Sequence, residues 1–278
     1  MESTVPKPLS HYYGAKSEQL DFLLPIVESI KHHTWIEAAC GMASLTLAKK
    51  PAPVEVINDI DERVVCLFRT VREKSKWLSK QLAATPYSLA AFEECARVAR
   101  DTEANQYQRG YAMLVCLRQS FSTSPGRSWS RVVAHSRRSM ASSVSRWIDL
   151  PDHVAAVADR LRMVQCDCLD ITDCIHKYDR PESLFYIDLP YMPQTRRSAK
   201  AYEHEADKLT HKRMLRAVMH AKGKFIISGY AHPLYDEVLT GARGWERIEY
   251  RVACRSSVSP SGKVAADKTR QEVVWVRR

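Results

Sequence analysis

Four consecutive residues, Asp188, Leu189, Pro190 and Tyr191, follow directly on an apolar run at residues 184–187. A carboxylate, a rigid turn and an aromatic ring would then leave one strand end together. Asp188 can accept one N–H of an exocyclic amine and the Leu189 carbonyl the other, because every backbone carbonyl is an acceptor. Two acceptors at a fixed angle draw such a nitrogen toward a tetrahedral, nucleophilic form. Tyr191 offers a face for a base to stack on, worth about 1–3 kcal/mol, and Pro190 fixes φ in the turn. Taken alone, the tetrapeptide is also a common way for a strand to pass into a loop.

Three further segments carry groups of the same kind. Tyr12-Tyr13-Gly14-Ala15-Lys16 puts aromatics, a glycine turn and an ammonium ahead of a helix, or is simply a turn. Glu37-Ala38-Ala39-Cys40-Gly41 leaves a strand and opens a helix, where Gly41 permits close backbone approach and Glu37 can bind an amine or hydroxyl. Asp59 ends another strand, the place where an acid holds two ribose hydroxyls in nucleotide-binding sheets. Asp59 could instead cap the next helix, but Asp61 is placed for that.

The elements that would position these groups alternate. Residues 34–38 and 54–58 read as strands, each followed by a helix, and the second helix repeats Val64, Leu67, Phe68 and Val71 on one face. Two strand–turn–helix units in succession predict a parallel sheet with right-handed crossovers. From about residue 70 to 151 helical spacing takes over, around 86–100 and at Tyr107, Tyr111, Leu114, Val115 and Arg118. Strands resume at 163–167, 184–188 and 223–228, with helices opening at Asp207 and Pro233. Residues 244–253 and 271–276 predict an antiparallel pair around a Ser/Lys-rich loop at 255–268, which either closes over a substrate or is only a disordered hairpin tip.

Charge is concentrated. The 278 residues carry a net charge of +10, and residues 109–146 hold seven arginines with no lysine and no acid, leaving +3 elsewhere. Ten serines lie between Ser120 and Ser145, so the stretch reads as a basic loop on a helical insertion. Such a field attracts polyanions; a membrane surface fits less well without an amphipathic apolar face. No run approaches the roughly 18 apolar residues of a membrane span. Eight cysteines without an export signal predict free thiols and a cytoplasmic location.

Together these segments resemble the N6-adenine DNA methyltransferase family that includes the Dam and DpnII-type modification enzymes. The similarity runs over residues 10–277 in the family's order. Residues 12–16 resemble its aromatic-x-Gly-Gly-Lys opening and 37–47 its cofactor loop. Residues 57–60 and 161–167 resemble later strand ends, 185–191 its Asp-Pro-Pro-Tyr strand end, and 271–276 its last strand. Leu189 stands where the family usually has proline, Gly41 is alone in a loop often richer in glycine, and Ala15 replaces a glycine.

The resemblance implies an α/β, Rossmann-like, S-adenosylmethionine-dependent methyltransferase sheet. Residues 1–70 and 151–278 would form the catalytic domain, and 71–150 an inserted helical target-recognition domain. It implies that Tyr12, Lys16, Glu37, Gly41, Asp59 and Asp188 line the donor site, with Asp167 near the donor's adenine. Asp188, Leu189, Pro190 and Tyr191 would form the catalytic strand end acting on an adenine flipped out of double-stranded DNA. Arg118, Phe121, Arg127, Arg131, Arg137 and Arg138 are then the expected DNA contacts, with Trp129 either stacking or anchoring locally. A cytosine-N4 or RNA-adenine methyltransferase would use the same strand end, and a non-catalytic nucleic-acid-binding relative would keep the basic insertion.

Other chemistry fits less well. Cys166, Cys168, Cys174 and His176 lack the paired spacing of a zinc site. Cys166 and Cys168 would share a strand face in the core. Cys40 has no recognisable histidine partner, and the ten histidines suggest no hydrolase triad. No metal is expected.

Overall fold

A computed structural model describes residues 6–10, 16–121, 125–190, 206–253 and 269–278. Tyr12, Tyr191 and the 255–268 loop, all singled out from the sequence, lie outside these residues.

The first strand–helix units form as the periodicity predicts. Strand β1 is Thr34–Glu37, followed by α2, Ser44–Ala48, after an opening helix α1, Leu20–Ser29. Strand β2, Val54–Asn58, leads into α3, Glu62–Ala84, and Asp61 caps that helix by accepting from the Arg63 N–H. Helices α4, Leu89–Arg100, and α5, Gln106–Gln119, follow. A short hairpin of β3, Ser136–Arg137, and β4, Met140–Ala141, precedes α6, Ser142–Ile148, and α7, Leu150–Leu161.

Alternation then returns with β5, Val164–Asp167, α8, Ile171–Tyr178, β6, Ser183–Ile187, and α9, Lys208–His220, which Asp207 caps. Strand β7, Lys224–Gly229, and the single turn α10, Pro233–Asp236, lead to β8, Trp245–Ala253, and β9, Thr269–Arg277.

Among the described residues, seven strands form one sheet in the order β5-β2-β1-β6-β7-β9-β8. The first five run parallel, and β9 enters antiparallel between β7 and β8. Strands covered on both faces need apolar residues at successive positions. Accordingly Trp35, Leu184, Tyr186, Ile226 and Val274 pack with α1 and α2, while Ile36, Phe185, Ile187, Phe225 and Trp275 pack with α8 and α9.

The helical segment has no core of its own. Met42, Leu47, Ile57 and Val164 join Val64, Leu67, Leu78, Met113, Leu114, Val154 and Val157 in one apolar cluster. The 70/71 boundary drawn from composition falls inside α3, which runs on to Ala84 with its backbone broken from helical geometry only at Lys74. Composition registers the change of surface there; helical continuity follows the buried face.

Candidate active site

In an open parallel sheet, ligands bind outside the carboxyl ends of the strands, where the strand order reverses. Here the reversal lies between β1 and β6. Register puts Glu37, the last residue of β1, beside Tyr186 of β6 and Ile57 of β2, and puts Asn58 beside Asp167 of β5. Glu37, Asp59, Asp167 and Asp188 therefore line one edge, from four neighbouring strands.

Asp188 lies one residue past β6. Its Oδ2 accepts from Lys16 Nζ at 2.8 Å, and Lys16 is itself buried on a short turn, Lys16–Glu18, ahead of α1. Its Oδ1 is buried and has no hydrogen-bond partner among the described residues. Burial pushes the Asp188 carboxyl up to about 6, against the pull of Lys16, and the Glu272 charge adds to the rise. Leu189 is half-buried against the α9 side of the sheet, and Pro190 follows it at the edge.

The other three acids are engaged locally. Glu37 Oε2 accepts from the Thr46 N–H at 2.8 Å and from Thr46 Oγ1 at 2.5 Å, so it fastens the start of α2 to β1. Burial pushes Glu37 up to about 7; the Thr46 and Leu45 hydrogen bonds oppose this and the Asp188 charge adds to it. Asp59 accepts from the N–H of Gly41 at 2.8 Å through Oδ2 and from that of Asp61 at 2.9 Å through Oδ1. Gly41 has φ of 48°, a left-handed value that suits glycine and turns its N–H to Asp59. Burial works against ionisation of Asp167, but hydrogen bonds from Lys177 and Tyr178 prevail and hold it below the usual carboxylate range.

Asn58 binds the edge together: its amide N–H groups donate to the Ala38 and Leu169 carbonyls, and its oxygen accepts from the Leu169 N–H. The sequence reading passed over it, because nothing in a strand's last residue announces two cross-strand partners.

Cys168 corrects one expectation. Strand β5 ends at Asp167, so Cys168 does not share a buried face with Cys166; it is exposed, with Sγ 3.8 Å from the Ile60 carbonyl. Ile60, half-exposed beside Asp59, makes this part of the edge apolar. Among the described residues no His, Cys, Asp and Glu cluster could hold a metal ion.

The arginine-rich stretch divides. Arg109 is buried on α5 and pairs with Glu62 at 3.0 Å. Arg118 is half-buried, donates to the Arg146 carbonyl at 2.9 Å, and burial lowers its pKa. Arg127, Arg131, Arg137 and Arg138 are exposed. Asp149, just beyond the acid-free window, pairs with Arg138 at 2.6 Å and Arg137 at 3.5 Å. Such exposed pairs contribute only about 0–1 kcal/mol, so neither guanidinium is held tightly.

Phe121 is 74% exposed. Its N–H donates to Ser128 O at 2.7 Å, and the Ser130 N–H donates to Gln119 O at 2.7 Å, which pairs residues 119–121 with 128–130. Trp129 anchors this pairing: its indole N–H meets Gln119 Oε1 at 3.4 Å and its ring lies 5.8 Å from that of Tyr87.

Comparison with known proteins bears on this arrangement. No curated protein matches the chain by sequence. Two solved structures of the rRNA methyltransferase AviRa from Streptomyces viridochromogenes are 11% and 10% identical, with TM-scores of 0.33 and 0.32. Each alignment covers 89% of this chain, and 77% and 76% of the AviRa chains. A likeness that distant has no bearing on substrate. The family match is extensive: residues 12–254 fit the D12 class of N6 adenine-specific DNA methyltransferases, and within them lie Lys16, the strand-end acids and the arginine-rich stretch. The chain therefore belongs to this family, whose members methylate adenine N6 in DNA in a reaction that uses S-adenosylmethionine.

Proposed function

We propose that Asp188 Oδ1 and the Leu189 carbonyl hold the exocyclic amine of an adenine extruded from double-stranded DNA. The observation that carries this reading is the buried Oδ1, without a partner among the described residues, at the strand-order reversal while Oδ2 is fixed by Lys16. A buried acceptor left without a donor costs about 1–3 kcal/mol, a deficit that an incoming N–H removes. Pro190 would limit the turn, and Tyr191 would supply the stacking face.

The remaining edge fits the methyl donor. Lys16 and Glu37 would meet its amino-acid end, Gly41 would let it approach the backbone, Asp59 would take the ribose hydroxyls, and Asp167 would lie near the adenine. When bound, S-adenosylmethionine supplies a methyl group on a positively charged sulfonium, and its transfer to N6 leaves a neutral thioether. Positive charge then moves toward N6, where an ionised Asp188 stabilises it. Because Asp188 is pushed up to about 6, methyl transfer should decline as pH falls through that value.

Residues 71–150 would act as the target-recognition region. Arg127, Arg131, Arg137 and Arg138 would contact phosphates, Phe121 would meet bases, and Arg118 would brace these residues from its half-buried position. A DNA substrate and free cysteines support a cytoplasmic setting.

Asp188→Ala is the test. Transfer of a labelled methyl group to unmethylated genomic DNA should fall by at least about 10²–10³-fold, with the protein still folded and DNA binding retained. Robust transfer by this variant would defeat the reading.

A further inference from the structure

Residues 208–235 form a second acid-free stretch, holding six lysines and arginines and no Asp or Glu. Unlike the arginine-rich stretch, it belongs to the sheet and the helix that packs on it, and four of the six basic residues lie on α9. That helix buries Met214, Leu215, Ala217 and Val218 and exposes Lys208, Lys212, Arg213 and Arg216. Lys208, Lys212 and Arg216 follow one another at four-residue spacing, where like charges repel and oppose the helix. Arg213 meets Asp170 at 3.6 Å, but Lys208, Lys212 and Arg216 have no acidic partner among the described residues. Asp207, next to them in sequence, is turned to Thr210, accepting from its N–H at 2.7 Å and its hydroxyl at 2.8 Å. Elsewhere exposed basic side chains such as Arg97, Lys177 and Arg278 sit beside Glu94, Asp167 and Glu246. A helix face that serves only solvation mixes its signs, and an acid at position 212 would relieve both repulsions.

Topology sets the first turns of α9 beside the candidate active site. Strands β6 and β7 are parallel, so α9 starts at the carboxyl edge, where Asp188 and Leu189 leave β6, and descends to the amino edge. Leu189 packs against the apolar cluster that holds Met214, Leu215 and Val218 of α9. Lys208 and Lys212, about 6 Å apart along the helix axis, occupy the turns nearest that edge. The arginine-bearing insertion packs on the other face: successive residues of β2 point to opposite sides, Val56 into the α9 cluster and Ile57 into that of the insertion.

We propose that Lys208 and Lys212 form a second phosphate-binding surface, which meets the DNA backbone beside the target site from the face opposite the arginine-rich insertion. The occupant is the sugar–phosphate backbone and not a base edge, because an ammonium acts as a point charge that suits phosphate oxygens and carries no sequence information there. The surface rests on the family's DNA substrate alone, so phosphate contacts by the insertion stand or fall separately.

The experiment measures affinity for sheared, unmethylated genomic DNA across a salt series, for two variants of the full chain that lose the same net charge. Lys208→Gln/Lys212→Gln should flatten the slope of log affinity against log salt by about 1.8, or about 0.9 per phosphate contact. Lys31→Gln/Lys222→Gln removes two exposed lysines ahead of β1 and β7, at the amino edge, and should keep the native slope. A native slope in the α9 variant overturns the proposal. Equal flattening by both variants overturns it too, since the effect then belongs to net charge and not to contact. Should the α9 variant fail to fold by circular dichroism, Lys212→Gln alone should flatten the slope by about 0.9, and a native slope there overturns the proposal.

Discussion

Replacing Glu37 with Gln isolates the cost of a charge that the fold buries between β1 and α2. Glu37 is 3% exposed, and its described hydrogen-bond donors belong to α2 rather than to a cation. Its carboxyl rises from an ordinary 4.5 to about 7, chiefly through burial. At 1.36 kcal/mol per pH unit this corresponds to about 3 kcal/mol. Below pH 4.5 folded and unfolded chains both carry the proton, and between 4.5 and about 7 only the folded chain keeps it. Stability therefore falls as pH rises through that window and levels off above it. Glutamine has no proton to lose, and its amide oxygen can still accept from the Thr46 N–H. Urea unfolding of both proteins without donor, from about pH 4.5 to about pH 8, should show the variant gaining about 3 kcal/mol on the native chain across the window. A stability difference that stays constant with pH would refute the assignment of the shift to Glu37.

Gly110 of α5 sits against α3, where an added Cβ would lie 2.2 Å from Thr70 Oγ1 and 2.4 Å from the Cys66 carbonyl oxygen. Gly110→Ala should lose about 1–3 kcal/mol or more in the same assay, because helix backbone cannot yield as a flexible side chain can; an unchanged midpoint would contradict the close crossing. Arg127→Ala should lower the slope of log affinity against log salt by about 0.9, whereas Phe121→Ala should weaken DNA binding with the slope intact. Identical salt slopes for Arg127→Ala and the native chain would place Arg127 away from the phosphates.

The strand ends were legible in the sequence because each joins an apolar run to an acid, and register alone aligns such ends. Asp61 was legible as a cap and Asp207 as a helix start, since capping is local chemistry. Asp149 was not legible as the partner of Arg137 and Arg138, because it lies outside the acid-free window and meets them only through the packing of α6 and the β3–β4 hairpin. Cys168 was misplaced because one residue decides whether a strand continues, and pattern locates strand ends only to within a few residues.

Residue types and their spacing determined that this chain would build a parallel sheet, set acids at its carboxyl edge and display a basic surface between its two halves. Hydrophobic periodicity and short-range capping suffice for that, because both act between neighbours in the chain. Tertiary structure decided which acids are held by neighbouring groups and which one keeps a buried oxygen without a partner among the described residues. Glu37 spans to Thr46, Asp59 to Gly41, and Asp188 to Lys16 across 172 residues of chain. It also brought Glu272 to Gln19 from the opposite end of the sequence. Burial and charge pairing depend on what arrives through space, and no local pattern encodes that.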